Sequence, residues 1–297
     1  MEPIVFVLVA GAAVLHVTWN VLLKTAGNPL RAAAVGMTTA GALLIPAATV
    51  GWFLIGRPAI PTEAIGLGVL SGLLEAGYFA FLAAAYRRGD LSVVYPLARG
   101  TAPLLAVALG QLVLNEHLGL PGIVGVVLLL VGLAVLQRPW RFLQASGRAG
   151  SGAAGFALLT GVTIAAYSAV DRVGVRQTEP WIYAALIWAS CIVFLWAYVW
   201  WSDRRKASTR AASDDPDFVP SRAAVGGLIT LAAYLLILFA FSVAPLTAVA
   251  PLRESAIVLA SGWGALRLGE ASSRSDAARR IAASAIVVLG SVLLALE

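Results

Sequence analysis

The sequence has few of the residues that build metal sites, disulfides and water-soluble surfaces. A single cysteine, Cys191, and two histidines exclude an intrachain disulfide and a Cys/His metal site, and they supply no nucleophile–base pair for an enzyme. Charged residues make up only 12% of the chain, whereas soluble domains carry roughly 25%. We therefore predict no metal, no cofactor and no enzymatic activity.

Apolar residues, in contrast, are in excess, at 60% of 297 residues with a mean hydropathy of +0.88. A surface of this size that faced water would need more charged residues. Much of the protein surface must therefore face lipid. The net charge of +6 does not indicate nucleic-acid binding, because the cations lie in short clusters between apolar runs. The expected partner is a lipid bilayer, with the cell inner membrane as the predicted location.

Ten apolar runs are long enough to cross a bilayer, which takes about 20 residues in a helix. Lipid cannot satisfy backbone hydrogen bonds, so runs of this length must be helical. We predict an all-α integral membrane protein with ten transmembrane helices. The runs cover roughly 3–24, 32–56, 64–86, 91–113, 119–137, 152–171, 181–202, 223–243, 246–266 and 279–296.

The two halves of the chain resemble each other. AYRRGDLSVVYPLARG (85–100) aligns with AFSVAPLTAVAPLRES (240–255), and a Leu-x-Leu-x-Glu motif ends at Glu116 and again at Glu270. Five helices per half is an odd number, so the second repeat should be inverted relative to the first. The predicted units are a first repeat over 1–137, an inter-repeat loop over 138–151 and a second repeat over 152–297.

The basic residues are distributed unequally between the two predicted membrane faces. Of the 21 Lys and Arg residues, 16 lie in or beside the loops after helices 1, 3, 5, 7 and 9, three lie on the opposite face, and two lie within helices. Basic loops face the cytoplasm, which predicts that both termini lie outside.

Several sequence signals together indicate a family. The fourth and ninth predicted helices contain proline and are followed by the Leu-x-Leu-x-Glu motif and a Gly-rich helix, and the first helix carries HVTWNVLLK (16–24). In these features the chain resembles EamA-type transporters of the drug/metabolite transporter superfamily. The resemblance implies a small-molecule substrate and a central cavity lined by helices 1, 3, 4, 6, 8 and 9, with helices 5 and 10 peripheral. It also implies cytoplasmic termini, and we retain the opposite orientation from the charge distribution.

Arg99 is a permanent cation inside the fourth predicted helix, between Pro96 and Pro103. A cation at this depth costs about 2.5–3.5 kcal/mol on insertion scales, so such residues usually face a bundle interior or an aqueous cavity. The prolines leave backbone carbonyls unpaired and bend the helix around Arg99. Tyr95 lies one turn earlier on the same face.

The ninth predicted helix repeats this arrangement with Pro251, Arg253 and Glu254. Two interpretations stay open for the two arginines. They bind a carboxylate or phosphate of the substrate, for which guanidinium groups are well suited. Alternatively, they form structural ion pairs with Glu254 or Glu75.

Glu75 lies midway along the third predicted helix, with Tyr78 on the same stripe. A carboxyl group with few partners inside a membrane can carry a proton. Glu75 is therefore the first candidate for proton coupling, and Glu254 is the second. The alternative for Glu75 is a structural ion pair with Arg99.

The first predicted helix has one polar face, formed by His16, Trp19 and Asn20 at spacings of three and four. We predict that this face lines the substrate cavity, although a lone buried histidine is often simply hydrogen-bonded. Asp171 and Arg172 end the sixth predicted helix and are interpreted as a boundary pair. Glu116 and Glu270 are interpreted as residues that hold loops or cap the next helix.

Together these features predict a secondary transporter. The expected activity is export of a small polar metabolite, an amino acid or organic anion, by alternating access, with proton coupling as a hypothesis. The alternatives are a translocator of a lipid-linked or drug-like substrate and a non-transporting membrane subunit. Gly125, Gly132 and Gly290 predict close helix packing, either internally or in a homodimer.

Overall fold

The computed structural model describes residues 2–88, 91–137, 152–208, 218–254 and 274–295. The described part contains ten α-helices and no strand. The helices are α1 (Pro3–Thr25), α2 (Pro29–Leu54), α3 (Thr62–Tyr86), α4 (Leu91–Leu112), α5 (Leu120–Gln137), α6 (Gly152–Gly174), α7 (Pro180–Ser208), α8 (Pro220–Val243), α9 (Leu246–Glu254) and α10 (Arg274–Ala295).

Proline marks the first residue of several helices, namely α1, α2, α7 and α8. A proline at this position costs no hydrogen bond, because the first backbone N–H groups of a helix have no partner within the helix. At α2 the start is reinforced by Asn28, whose side chain accepts hydrogen bonds from the backbone N–H groups of Leu30 and Arg31. Local sequence therefore sets where these helices begin.

Six helices of the described part are long and apolar enough to cross a membrane, namely α1, α2, α3, α6, α7 and α8. Shorter apolar segments occur at Leu97–Leu112, Leu120–Val135 and Ile281–Leu294. Large apolar side chains such as Val7, Leu43 and Leu54 stay exposed on the outside of the bundle, where lipid would cover them. The chain is a multi-pass membrane protein, whereas ten complete crossings stay a prediction. Most of the ninth predicted run, with Glu270, lies outside the described residues.

Helix packing is symmetric under exchange of the two halves. The most extensive pairs are α3 with α6, α5 with α10, and α1 with α8; α3 also packs on α7, α2 on α8 and on α7, and α4 on α6 and α9. When α1–α5 are matched in order to α6–α10, each of these pairs maps onto itself or onto another observed pair. The equivalent elements of the two halves thus occupy equivalent places.

Contacts between helix ends define two faces of the bundle. The backbone N–H of Val219 donates to Ala26 (3.0 Å), and Arg31 pairs with Asp203 (3.0 Å), which places the ends of α1 and α7 beside the starts of α8 and α2. We call this end the basic face. At the opposite end, Glu116 bonds to the start of α9 and the end of α6, and we call that end the Glu116 face.

Glycine permits the closest helix approaches. A Cβ atom built on Gly227 of α8 would lie 2.0 Å from the carbonyl oxygen of Gly36 in α2, and one on Gly125 of α5 would lie 2.8 Å from that of Gly290 in α10. These contacts are internal to one chain, as the glycine pattern allowed. The homodimer stays a prediction.

The close approach of α2 and α8 predicts that Gly227→Ala destabilises the protein. The added methyl group must push two backbones apart, at a cost of roughly 1–3 kcal/mol typical of overpacking. The measurement is thermal unfolding of the purified protein in detergent. Gly155→Ala is the matched control, because nothing lies within 4 Å of its Cβ position; equal melting temperatures for the two variants would contradict the prediction.

Candidate functional site

Four charged side chains are buried in the described part of the bundle. They are Glu75 on α3 (5% exposed), Arg99 on α4 (6%), Asp171 on α6 (1%) and Arg253 on α9 (4%). Charged groups are almost never buried unless other polar groups compensate them. The four residues lie on four different helices inside a largely apolar bundle. We call the region that they form the polar centre.

Small residues let the helices that carry these groups approach each other. A Cβ atom on Gly161 of α6 would lie 2.8 Å from the carbonyl oxygen of Ala98, so α6 touches α4 at the turn that carries Arg99. A Cβ atom on Gly72 of α3 would lie 2.0 Å from Ser190 Oγ of α7, close to Glu75. The polar centre therefore depends on backbone contacts that larger residues would prevent.

The acidic part of the centre is organised by two tyrosines. The hydroxyl of Tyr183 donates to Asp171 Oδ1 (3.3 Å), and the hydroxyl of Tyr234 donates to Asp171 Oδ2. Glu75 lies on α3, which packs against α6, the helix that carries Asp171. The only two acidic side chains buried in the described part are therefore on adjoining helices.

The cationic part includes His16. Trp19 Nε1 donates to His16 Nδ1 (2.8 Å), and the Asn20 amide donates to the His16 carbonyl oxygen (2.7 Å). Because Nδ1 accepts, a neutral ring carries its hydrogen on Nε2, which is buried and has no partner among the described residues. The helix that carries Arg253, α9, packs against α1, which carries His16, and against α4, which carries Arg99. Three potential donors to an anion therefore lie on adjoining helices.

Aromatic rings line the centre from α3 to α7. Tyr167 lies between Tyr78 and Tyr234, with ring centroids 6.1 Å away on each side, and Tyr234 meets Trp188 at 5.3 Å. On the other side, Trp19 meets Phe79 edge to face at 6.3 Å. Aromatic side chains supply apolar contact area and, through tyrosine hydroxyls, polar contacts at the same place.

A small cavity of about 20 Å³ lies between α1, α2, α3 and α8. Its lining includes Trp19, Met37, Phe79 and Thr230, with Arg222 near the basic face. Trp19 belongs both to this lining and to the His16 cluster. The cavity therefore adjoins the His16 cluster at Trp19, on the side of the basic face.

Most of the predicted site residues are brought together here. His16, Trp19, Asn20, Glu75, Tyr78, Arg99 and Arg253 are all buried in the polar centre or its walls. The side chains of Tyr95 and Glu254 lie outside the described ones. The roles assigned to all of these residues stay predictions.

The boundary-pair interpretation of Asp171 and Arg172 is wrong. Asp171 is bound by two tyrosines within the bundle, whereas Arg172 pairs with Glu116 at 3.1 Å. Position near a helix end suggested an exposed residue, but α7 and α8 cover this turn. The spacing of residues did indicate that Asp171 faces inward, because Tyr167, Ser168 and Asp171 form a polar stripe like that of the first helix.

Glu116 caps a helix, but not the one that follows it in sequence. Its Oε1 accepts from the backbone N–H of Leu246 (2.8 Å) and its Oε2 from that of Thr247 (2.9 Å), at the start of α9. A carboxylate is favourable there because it satisfies free N–H groups at the positive end of the helix dipole. The predicted capping role thus acts between the two halves of the chain.

These features define a class of protein: an all-helical membrane protein with buried charges of both signs and a small cavity toward one face. The profile of the EamA-like transporter family matches residues 3–138 and 152–296. The chain belongs to this family of transporters and, with it, to the drug/metabolite transporter superfamily.

Individual relatives match over shorter stretches. The spermidine export protein MdtI of Yersinia enterocolitica is 37% identical over 73 residues, which is 25% of this chain and 67% of that protein. MdtI of Yersinia pestis (strain Pestoides F) is 38% identical over 71 residues, 24% of this chain and 65% of that protein. One solved protein structure matches with a TM-score of 0.68 over 100% of this chain and 98% of the other, at 20% identity, which shows the fold alone.

The hydrogen bond between Tyr234 and Asp171 predicts a stability effect. Tyr234→Phe removes one donor from a buried carboxyl group, and loss of a hydrogen bond to a charged group costs about 1.5–3 kcal/mol. We expect a lower melting temperature in detergent. Tyr198→Phe on α7 is the control, because that ring packs on Trp201 away from the polar centre; a control that loses as much stability would show that the bond to Asp171 is not the cause.

Proposed function

We propose that the chain is a secondary active transporter that exports a small zwitterionic or anionic metabolite, such as an amino acid, by alternating access. The observation that carries the proposal is the burial of charges of both signs on adjoining helices. Arg99, Arg253 and His16 supply hydrogen-bond donors on α4, α9 and α1, and Glu75 and Asp171 supply carboxyl groups on α3 and α6. We call these the donor-rich part and the acidic part.

The chemistry of the two parts suits a zwitterion. Guanidinium groups bind a carboxylate through paired hydrogen bonds, and His16 Nε2 offers a further donor. A substrate ammonium group would find carboxyl groups and tyrosine rings at the other part. A centre with two arginines and two acids is nearly balanced, which favours a substrate whose own charges balance.

Proton coupling through Glu75 is part of the proposal. Glu75 is buried midway along α3, and α3 packs against α6, the helix that carries the second buried carboxyl group, Asp171. A carboxyl group in this position can exchange a proton for bound substrate as the protein changes conformation. Glu254 stays the second candidate.

The proposed architecture is ten transmembrane helices in two inverted repeats. The exchange symmetry of the helix pairs supports it, because inverted repeats with a site at their interface are a common plan of secondary transporters. The distribution of basic residues supports an orientation with the basic face in the cytoplasm and both termini outside. The cavity on that face would then receive substrate from the cytoplasm.

A second candidate substrate is a polyamine or another organic cation. The MdtI relatives are spermidine export proteins by name. The aromatic rings around Asp171 and Glu75 could also bind an amine by cation–π contacts. Two buried arginines disfavour this substrate, and we rank it second.

Ligand-induced stabilisation tests the substrate class. A saturating ligand at about 100 times its Kd stabilises the folded protein by about 2.7 kcal/mol, which raises its melting temperature measurably. We expect this rise with amino acids or organic acids. Arg99→Gln should weaken the affinity by at least about tenfold, since it removes a charged hydrogen-bond partner.

Arg176→Gln, at the exposed end of α6, is the control and should leave the affinity unchanged. If spermidine alone stabilised the protein, the proposed substrate would be a polyamine and not a zwitterion. An affinity that survives Arg99→Gln would exclude Arg99 as the anion-binding group.

Glu75→Gln tests the proton coupling. Glutamine keeps the size of the side chain but cannot release a proton, so uptake into proteoliposomes should lose its dependence on an imposed pH gradient. The substrate is the amino or organic acid that gives the largest thermal stabilisation. Glu63→Gln, exposed at the start of the same helix, should transport as the parent does; undiminished pH dependence in Glu75→Gln would refute the assignment.

A further inference from the structure

A second ionic cluster lies outside the polar centre, at the Glu116 face. Arg172 donates from Nε to Glu116 Oε1 (3.1 Å) and from a terminal nitrogen to the carbonyl oxygen of Phe241 (3.1 Å). Glu116 also accepts the backbone N–H groups of Leu246 and Thr247. We call these five residues the Glu116 junction.

The junction ties together elements of both halves. Glu116 follows α4, Arg172 ends α6, Phe241 lies near the end of α8, and Leu246 starts α9. Asn115, with φ of +52°, turns the chain after α4 so that Glu116 points back toward the bundle. Gly110 leaves room for it, since a Cβ atom there would lie 2.7 Å from Glu116 Oε2. Local backbone geometry is thus arranged around this single carboxylate.

The junction is also joined to the polar centre. Arg172 is the next residue after Asp171, which lies in the centre with Tyr183 and Tyr234. Any rotation or shift of the end of α6 therefore moves both groups. A change at the acidic part of the centre can be transmitted to the junction through one turn of helix.

Buried polar atoms without partners accompany the junction. Within the described part, Ser168 Oγ, Thr247 Oγ1, Gln177 Oε1 and Trp188 Nε1 have no hydrogen-bond partner. Three of these residues lie on α6, α7 and α9 in the half of the bundle that adjoins the Glu116 face, and Gln177 lies in the α6–α7 link. Atoms of this kind also occur elsewhere in the described part, for example His16 Nε2 and Ser284 Oγ, so they do not by themselves mark this face.

We propose that Glu116 and Arg172 form the gate that closes the transport route at the Glu116 face, and that their separation opens this face to the polar centre. The proposal rests on the proposed transport by alternating access. The cavity adjoins the His16 cluster on the side of the basic face, while the junction joins α4, α6, α8 and α9 at the other face.

The chemistry of the junction suits a reversible closure. The two side chains are 11% and 10% exposed, so water adjoins the ion pair and can replace each partner when they separate. An apolar plug would instead have to expose its surface at a large cost. Release of Glu116 also frees the start of α9, the helix that carries Arg253, so opening of the gate and rearrangement of the anion-binding part occur together.

The test measures how readily a cysteine at a buried position of the junction reacts. In a Cys191→Ala background, Thr247→Cys places a thiol at a buried position while its backbone N–H still bonds to Glu116. The rate of reaction with a membrane-impermeant maleimide is measured on the protein in lipid nanodiscs, where both faces are accessible. Adding Glu116→Gln, which removes the charge but keeps the size, should raise this rate by at least about tenfold.

Thr230→Cys is the reporter on the other side, because Thr230 is also buried (8% exposed, against 0% for Thr247) but lines the cavity of the basic face. Its rate should stay unchanged or fall when Glu116→Gln is added. Unchanged labelling at position 247 would overturn the gate. A similar rise at both positions would also overturn it, since that result indicates general loosening.

Arg172→Gln provides an independent variant should Glu116→Gln fail to fold. It breaks the ion pair but leaves Glu116 bonded to the start of α9, so a smaller rise at position 247 is expected, again without a rise at position 230. No rise with this variant would refute the role of the ion pair.

The labelling experiment requires no substrate. If amino acids and organic acids fail to bind but the rate at position 247 rises selectively, the gate stands and only the proposed substrate is wrong. If substrate binds and the rate does not change, the transporter stands and the gate is wrong.

Discussion

Burial of charge within a membrane protein is the constraint on which the rest of this structure depends. Two arginines and two carboxyl groups lie inside the bundle, where an isolated ion would be prohibitively costly. The helices must therefore bring opposite charges, tyrosine hydroxyls and the histidine ring to one place. The contacts of Asp171 with Tyr183 and Tyr234 are the clearest example.

This requirement explains the small residues at the helix crossings. Side chains can reach a shared centre from α3, α4, α6, α7, α8 and α9 only if the helices approach closely. Gly161 against Ala98 and Gly72 against Ser190 provide that approach beside Arg99 and Glu75. Close helix packing is thus what allows the polar centre to form.

The distribution of polar groups along the bundle axis separates two tasks. The polar centre, with its aromatic lining and the cavity near Trp19, has the chemistry to hold a small charged molecule. The Glu116 junction joins helix ends and lies at the opposite face from the cavity. Asp171 and Arg172 are adjacent in sequence and belong one to each, so the end of α6 connects the polar centre to the Glu116 junction.

The amino-acid sequence by itself determined that the chain lies in a membrane, where its helices approximately begin and end, and that its two halves resemble each other. It also identified most of the residues that form the polar centre. A long apolar run must form a helix in lipid, and a charged residue inside such a run must face the interior of the bundle. The sequence could not place Asp171, because its position three residues from the end of α6 looked exposed until α7 and α8 were seen to cover it. Nor could it assign Glu116 to the start of α9, 130 residues away. Those outcomes depend on which helices meet, and helix pairing is decided by side-chain and glycine contacts between distant segments rather than by any local pattern.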